Sequence, residues 1–450
     1  MDALYEKLLK NVEKNRDLVL RAEEYLWKNP ELGYKEWKSH AYLKAEFEKL
    51  GYELHEAGDI PGFYTDLDTG RPGPTLLMMA ELDALCIPTH PDADPETGAV
   101  HACGHCAQSA GLLGAAAAMK EPGALDGLCG KIRFMEVPAE EGIEIEYREE
   151  LRKKGIIRYF GGKQEFIARG YAEGCDLNTL IHTSSRPAYQ FDTNPGADGF
   201  VIKTFQFQGK SVHAASPHNG HNALYAATNA MNAINALRET FRDSDVVRVH
   251  PIITKGGSVV NAIPDDVVME SYVRAATVES VFEENAKVNR AAAGAALSMG
   301  ANLVITERPG YLPQNNNPYL CQCAMETANM VFGEGHGTVL TKWGGGSSDM
   351  GDMTAILPTA YIHVGGAKGK GHGTDFRIDD PEAVCLSSSK LLVTFAARLL
   401  ENGAARAKEA MAGYTPVFAN KEEYCAAMDK MIRDDVAITY GDDGTAQVKW

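Results

Sequence analysis

Long apolar runs are scarce in this chain of 450 residues. The longest uncharged ones, such as residues 109–119, fall well short of the roughly 18 needed to cross a bilayer, so no membrane span is expected. Positive charge is also in deficit: 44 Lys and Arg against 61 Asp and Glu leave a formal net charge of −17. A surface so negative repels phosphate backbones and anionic headgroups, so neither nucleic acid nor a membrane is an expected partner. The nine cysteines are odd in number and scattered, which argues against a disulfide framework and for reduced thiols, buried or acting as ligands. No repeat or low-complexity tract is found. Nor does the start carry a basic segment followed by an apolar core. Met1 leads straight into Asp2, Glu6, Lys7 and Lys10 at helical spacing, and a cytoplasmic location is expected. What is present is 44% hydrophobic and 23% charged residues, the balance of a globular protein. The length exceeds that of an ordinary domain, and two domains are expected.

Apolar residues recur at helical spacing over 4–29 and 35–50, on either side of Asn29-Pro-Glu-Leu-Gly33. Four apolar runs read as strands: 75–80, 131–137, 177–181 and 359–364. The Ala- and Leu-rich stretch 109–120 reads as a helix between the first two. This alternation predicts an α/β fold with a largely parallel sheet and helices on both faces. Between about 198 and 310 the rhythm becomes strand, helix, strand, strand, helix, strand (200–208, 222–241, 248–254, 267–274, 278–299, 302–307). That order is the split βαβ pattern of a ferredoxin-like domain, here inserted into the larger one. Asn315 to Asn317 then marks the return loop. The expected organisation is a discontinuous domain of 1–197 and 311–405, an inserted domain of 198–310, and an extension of 406–450 with a hairpin turn at 441–444.

Ligands of open parallel sheets collect beyond the carboxyl ends of the strands. The first run here ends in Glu81-Leu82-Asp83, followed by the loop His101-Ala102-Cys103-Gly104-His105. The second ends in Pro138-Ala139-Glu140-Glu141, the third in His182, and the fourth leads to Gly371-His372-Gly373. Alone, each is compatible with a bland role: a hydrogen-bonded histidine, or a solvated turn of two glutamates. Together they place carboxylates, a thiol and imidazoles on one rim, which is an inventory for a metal site. Cys86 and Cys129 read as small buried apolar residues.

The segments Ala80-Glu-Leu-Asp-Ala-Leu85, His101-Ala-Cys-Gly-His105, Pro138-Ala-Glu-Glu-Gly142, Gly209-Lys-Ser-Val-His-Ala-Ala215 and Gly256-Gly-Ser-Val-Val-Asn-Ala-Ile-Pro264 occur in one order with Asn29-Pro-Glu-Leu-Gly33 and Ser347-Ser-Asp-Met-Gly351. Over roughly residues 15 to 400 the chain resembles the aminoacylase/carboxypeptidase-type metallo-amidohydrolases of peptidase family M20. With Cys103 it is similar to the cysteine-ligand subgroup that includes auxin-conjugate, hippurate and aminobenzoyl-glutamate hydrolases. The resemblance implies two divalent ions per subunit, Zn²⁺ or Mn²⁺, held by Cys103, His105, Glu141, His182 and His372. It implies Glu140 as general base and Asp83 as the carboxylate orienting a metal-bound imidazole. It further implies a homodimer with shared sites, in which His213, from the inserted domain, serves the active site of the other protomer and stabilises the oxyanion with Asn261 nearby. Arg274 would take a substrate carboxylate, the alternative being a strand-face salt bridge. His218 and His221 read as loop residues.

Two departures from the resemblance stand out. Cys106 and Gln108 occupy positions where many relatives carry Asp and His, which predicts altered substrate contacts, or Cys106 competing as a thiolate ligand. The charge-rich segment 143–161 follows the glutamate pair as an extra piece, before a helix expected at 162–170. The expected activity is metal-dependent hydrolysis of an amide in an N-acyl or N-aroyl amino acid or dipeptide-like small molecule. The alternatives are a dipeptidase or another small-amide deacylase and, in a different class, a catalytically silent metal- or ligand-binding homologue.

Overall fold

The computed structural model describes residues 3–441 and 443–449. Met1, Asp2, Asp442 of the turn expected at 441–444, and Trp450 lie outside the described residues. The chain forms two compact units: residues 1–196, 315–344 and 348–421, and residues 197–314, 345–347 and 422–450.

The first unit is built on an eight-stranded, mostly parallel sheet. All four apolar runs become its central strands, adjacent and parallel in the order Lys131–Val137, Thr75–Glu81, Leu177–Ser184, Thr359–Gly365. Every residue of Thr75–Glu81 is buried, as a strand covered on both faces requires. The strands Phe63–Asp68 and Phe191–Thr193 flank these four in antiparallel fashion. Helix His105–Lys120 is buried at every position except Lys120, because its Ala and Leu residues leave no polar face. It packs against Arg16–Lys28 and Ser387–Leu400. Helix-forming residues Glu382–Leu400, which include Glu382, Lys390 and Arg398, are apolar and long enough to cross a membrane, but 89% of that window is buried inside the protein. Asn15 divides the expected N-terminal helix into Ala3–Lys14 and Arg16–Lys28, its side-chain amide bonding back to Asn11 O.

In the second unit Gly199–Gln208 is paired on both sides, with Asp266–Ala275 and Asn302–Pro309, all antiparallel. Helices Ala223–Ala236 and Val278–Ser298 pack against each other and on this sheet. The strand expected at 248–254 is split into Arg248–Val249 and Ile252–Lys255, with Pro251, which has no N–H to give to a ladder, just before the second piece. The C-terminal extension is shared out: helix Ala405–Ala412 belongs to the first unit, whereas Arg433–Tyr440 adds a strand beside Asn302–Pro309 and Ala446–Val448 adds the next.

Candidate metal centre

Gly104 explains how two of the candidate ligand segments meet. It takes a left-handed φ of +82° directly before helix His105–Lys120, and a Cβ there would lie 2.7 Å from the Thr183 side chain. The missing side chain lets the Cys103 loop press onto strand Leu177–Ser184, where Thr183 Oγ1 donates to Gly104 O at 3.1 Å. Cys103 Sγ consequently lies 3.3 Å from His182 Nε2. The helix starts at His105, earlier than expected, so this imidazole is fixed by the first helical turn. Its Nδ1 contacts Asp83 O at 2.8 Å and Asp83 Oδ1 at 3.2 Å, while Glu81 Oε2 lies 3.2 Å from Nε2. Asp83 also accepts from the backbone N–H of Glu141 at 2.9 Å, tying the carboxylate turn to the imidazole. His372 Nε2 reaches Glu141 Oε1 at 3.5 Å from a loop where it has a φ of +63°.

Ligand atoms from Cys103, His105 and His182 lie within 4.8 Å of one another, as do those from Cys103, Glu141 and His372, and from His105, Glu140 and Glu141. These are the five expected ligands and the expected base. Burial, then the charge of Glu141, pushes the Cys103 thiol well above its ordinary range. Burial, then Glu81 and Glu141, does the same to Glu140. Burial lowers His182 to about 3, which leaves its imidazole neutral. His105 Nε2 and Glu141 Oε1 are buried yet make no hydrogen bond among the described residues. So many acidic groups, with ligand atoms left over, call for a cation, and the donor set of thiol, imidazole and carboxylate fits divalent ions. A cleft of about 480 Å³, lined by Cys103, His182, Ser184, His372 and Phe376 among others, opens beside them.

A further carboxylate group, Glu81, Glu140 and Asp349, also has the spacing of a metal site. Lys163 is already there: its Nζ lies 2.5 Å from both Glu81 Oε1 and Asp349 Oδ1, with all three side chains fully buried. Against the cost of burial, Lys163 and His105 hold Glu81 down at about 2. Sequence reading missed Lys163 and gave Asp349 no role beyond its place in the motif Ser347-Ser-Asp-Met-Gly351, since the two are 186 residues apart and a lysine opening a helix looks solvated. Cys106 and Gln108 both turn inward. Cys106 is buried with its Sγ 3.9 Å from Glu23 Oε1, and Gln108 is buried and donates to Glu81 Oε2 at 2.8 Å. Cys106 belongs to none of the candidate ligand groups among the described residues. Cys86, expected to be buried, is exposed in the short strand Leu85–Cys86, and Cys129 is half-buried. All nine cysteines are free.

His213, Asn261 and Arg274 belong to the second unit. His213 forms a bridge with Ala262, and Ala214 N donates to Asn261 O at 2.9 Å, so the backbone brings the first two together. His218 lies in the short turn Pro217–Asn219 and His221 is bridged to Lys210. Arg274 has no carboxylate partner among the described residues. Its guanidinium lies 5.3 Å from the centroid of the Phe200 ring and donates to Ser347 Oγ at 3.3 Å, so the expected alternative of a strand-face salt bridge is not formed.

Comparison with known proteins places these features in a family. The model of peptidase family M20/M25/M40 matches residues 65–398. N-acetyl-L-cysteine deacetylase of Bacillus subtilis is 30% identical over 262 residues, 56% of this chain and 57% of the relative, so the match spans little more than half that protein's length. A p-aminobenzoyl-glutamate hydrolase chain of Escherichia coli is 26% identical over 360 residues, covering 75% of this chain and 77% of its own. Among solved structures, the Bacillus subtilis YXEP protein, described as a dinuclear metal binding peptidase, superposes with a TM-score of 0.67 at 22% identity, over 86% of this chain and 99% of that one. The chain therefore belongs to peptidase family M20/M25/M40 and is a hydrolase of that class.

Proposed function

We propose that the protein hydrolyses the amide bond of an N-acyl or N-aroyl amino acid, or a similar dipeptide-like small molecule, with two divalent ions held by Cys103, His105, Glu141, His182 and His372. The observation that carries this reading is the meeting of those ligand atoms with the adjacent Glu140 in one cluster, buried except for the half-buried His182 and the exposed His372. The names of the relatives, a deacetylase of N-acetyl-L-cysteine and a hydrolase of aminobenzoyl-glutamate, support the substrate class. When bound, the ions would supply Lewis acidity to the carbonyl and to water. Zn²⁺ suits the thiol and imidazoles, while the carboxylates also suit Mn²⁺.

Glu140 takes one proton from the attacking water as the carbon–oxygen bond forms. It returns that proton to the amide nitrogen as the carbon–nitrogen bond breaks. Its buried setting suits this task, because its proton is held more tightly than by an exposed carboxylate. Asp83, bonded to both His105 and the Glu141 backbone, keeps ligand and turn in register. His213 and Asn261 stabilise the oxyanion, and Arg274 takes a substrate carboxylate through its planar fork. The β, α, β, β, α, β order of elements in the second unit supports reading it as a ferredoxin-like lid and dimerisation domain inserted into the metal-binding one, with sites shared in a homodimer. A cytoplasmic location is part of the same reading.

The test is metal analysis of the purified protein followed by amine release from a panel of N-acyl and N-aroyl amino acids and dipeptides. Bound metal with turnover of acyl amino acids bears the proposal out. Turnover of dipeptides alone makes it a dipeptidase, and bound metal with no turnover of any amide makes it a silent homologue.

A further inference from the structure

The two adjacent glutamates both approach His105 but otherwise group with different residues, Glu140 with Glu81 and Asp349 and Glu141 with Cys103 and His372, and the turn that presents them is strained. Ala139 has a φ of +56°, a left-handed conformation that costs a residue with a Cβ about 1–2 kcal/mol. Such a turn persists only where its surroundings over-determine it. Three ionisable side chains grip its backbone. Glu36 Oε1 accepts from Ala139 N at 2.8 Å, and Asp83 Oδ2 accepts from Glu141 N at 2.9 Å. The carbonyls are held by Arg148, whose Nη1 donates to Ala139 O at 3.2 Å and to Phe160 O at 2.7 Å, and whose Nη2 donates to Glu141 O.

Arg148 comes from helix Ile145–Lys153, in the charge-rich segment 143–161 that follows the glutamate pair. Its residue is 1% exposed, so these charge-assisted bonds form away from water. Gly33 makes room for it: a Cβ there would stand 2.5 Å from Arg148 Nη2 and 3.1 Å from Ala139 Cα. The ring of Tyr34, the next residue, lies 5.6 Å from the guanidinium. The motif Asn29-Pro-Glu-Leu-Gly33 and the extra segment thus close on the same turn from two sides. A guanidinium suits the position because three carbonyls in different directions match its planar fork, which a single ammonium cannot reproduce.

The geometry points to Arg148 as a positioning residue that, with Gly33 leaving it space, fixes the turn from which Glu140 and Glu141 diverge as base and metal ligand. This rests on the roles proposed above for those two glutamates. A merely structural arginine would affect the melting temperature and leave metal affinity of the folded protein unchanged.

The test uses the full-length chain, stripped with a chelator and titrated with Zn²⁺ alone against a chromophoric competitor, followed by kcat and KM on the best amide of the panel. Arg148→Met is expected to weaken Zn²⁺ binding about 10- to 100-fold, the range for removing a partner that orients a metal ligand. It should also lower kcat with KM little changed. Arg152→Met, which removes the partner of Glu149 from the same helix, is the control expected to bind Zn²⁺ as wild type. If Arg148→Met retains wild-type Zn²⁺ affinity and kcat, the inference is overturned. If it does not fold, Arg148→Lys decides: an intermediate loss supports the inference, and wild-type values overturn it. Should wild type bind Zn²⁺ but hydrolyse no amide, the functional proposal fails while the affinity comparison still judges Arg148.

Discussion

Glu140 and Glu141 are neighbours in sequence but are assigned different tasks, and substitution should separate them. Glu140→Gln is expected to keep metal and lower turnover by ~10² to 10⁴, the range for a positioned acid–base group. Glu141→Gln should instead release metal, as quantified by elemental analysis, and full turnover in Glu140→Gln would remove it as the base. Among the thiols, Cys103→Ala should lose metal and activity together, whereas Cys106→Ala, behind the helix against Glu23, should keep both. Glu23 carries a separate expectation. Burial raises it to about 7, so the native state keeps a proton that the unfolded chain has already lost above pH 4.5. Stability from this residue is complete below that lower value and falls as pH rises to about 7. At about 1.4 kcal/mol per unit, the loss is on the order of 3 kcal/mol. Glu23→Gln, which cannot ionise, should therefore stabilise the protein against urea at pH 8 by more than it does at pH 5. Equal effects at the two pH values would disprove a buried, proton-holding Glu23.

At the scale of elements, strand Asn302–Pro309 depends on Arg433–Tyr440 to cover its outer edge. Arg433 also brings its Nη1 to 3.6 Å from Glu307, which is buried with Lys203, Asn285 and Asn289. Truncation after Lys430 should uncover that edge and loosen the cluster, giving a lower melting temperature and association through the bare strand, with metal content unchanged. A soluble truncated chain that melts like wild type would show that the extension is dispensable. The central strands were legible beforehand because each is a continuous apolar run, a pattern that needs no partner to be recognised. So were the residues that follow them, because a parallel sheet delivers its strand ends to one rim. Lys163, Arg148 and Gln108 were not legible. Each is a polar residue whose meaning comes from burial, Lys163 and Gln108 against carboxylates brought by other segments and Arg148 against carbonyls of nearby turns, and neither leaves a periodic trace. Cys86 was misread for the converse reason, since a two-residue strand offers no alternation from which to judge which way a side chain faces.

For the whole molecule, the division of labour between units makes the proposed dimer testable. The proposed metal ligands belong to one unit and His213 to the other. When inactive Glu140→Gln and His213→Ala chains are mixed, each mixed dimer should recover about one working site of its two if sites are shared, because one of its sites carries both defects and the other neither. Continued inactivity after verified exchange of protomers would show that each chain completes its own site. The path of the chain bears on something else, its synthesis. Thr359–Gly365, which lies beside Leu177–Ser184 in the first sheet, and Arg433–Tyr440, which closes the second, both fall in roughly the last fifth of the sequence. A ribosome adding roughly 5–20 residues per second would leave Leu177–Ser184 and Asn302–Pro309 with open, pairing-competent edges for on the order of ten seconds before these later partners were made. Until those partners arrive the bare strand edges are the surfaces a holding chaperone would cover during synthesis.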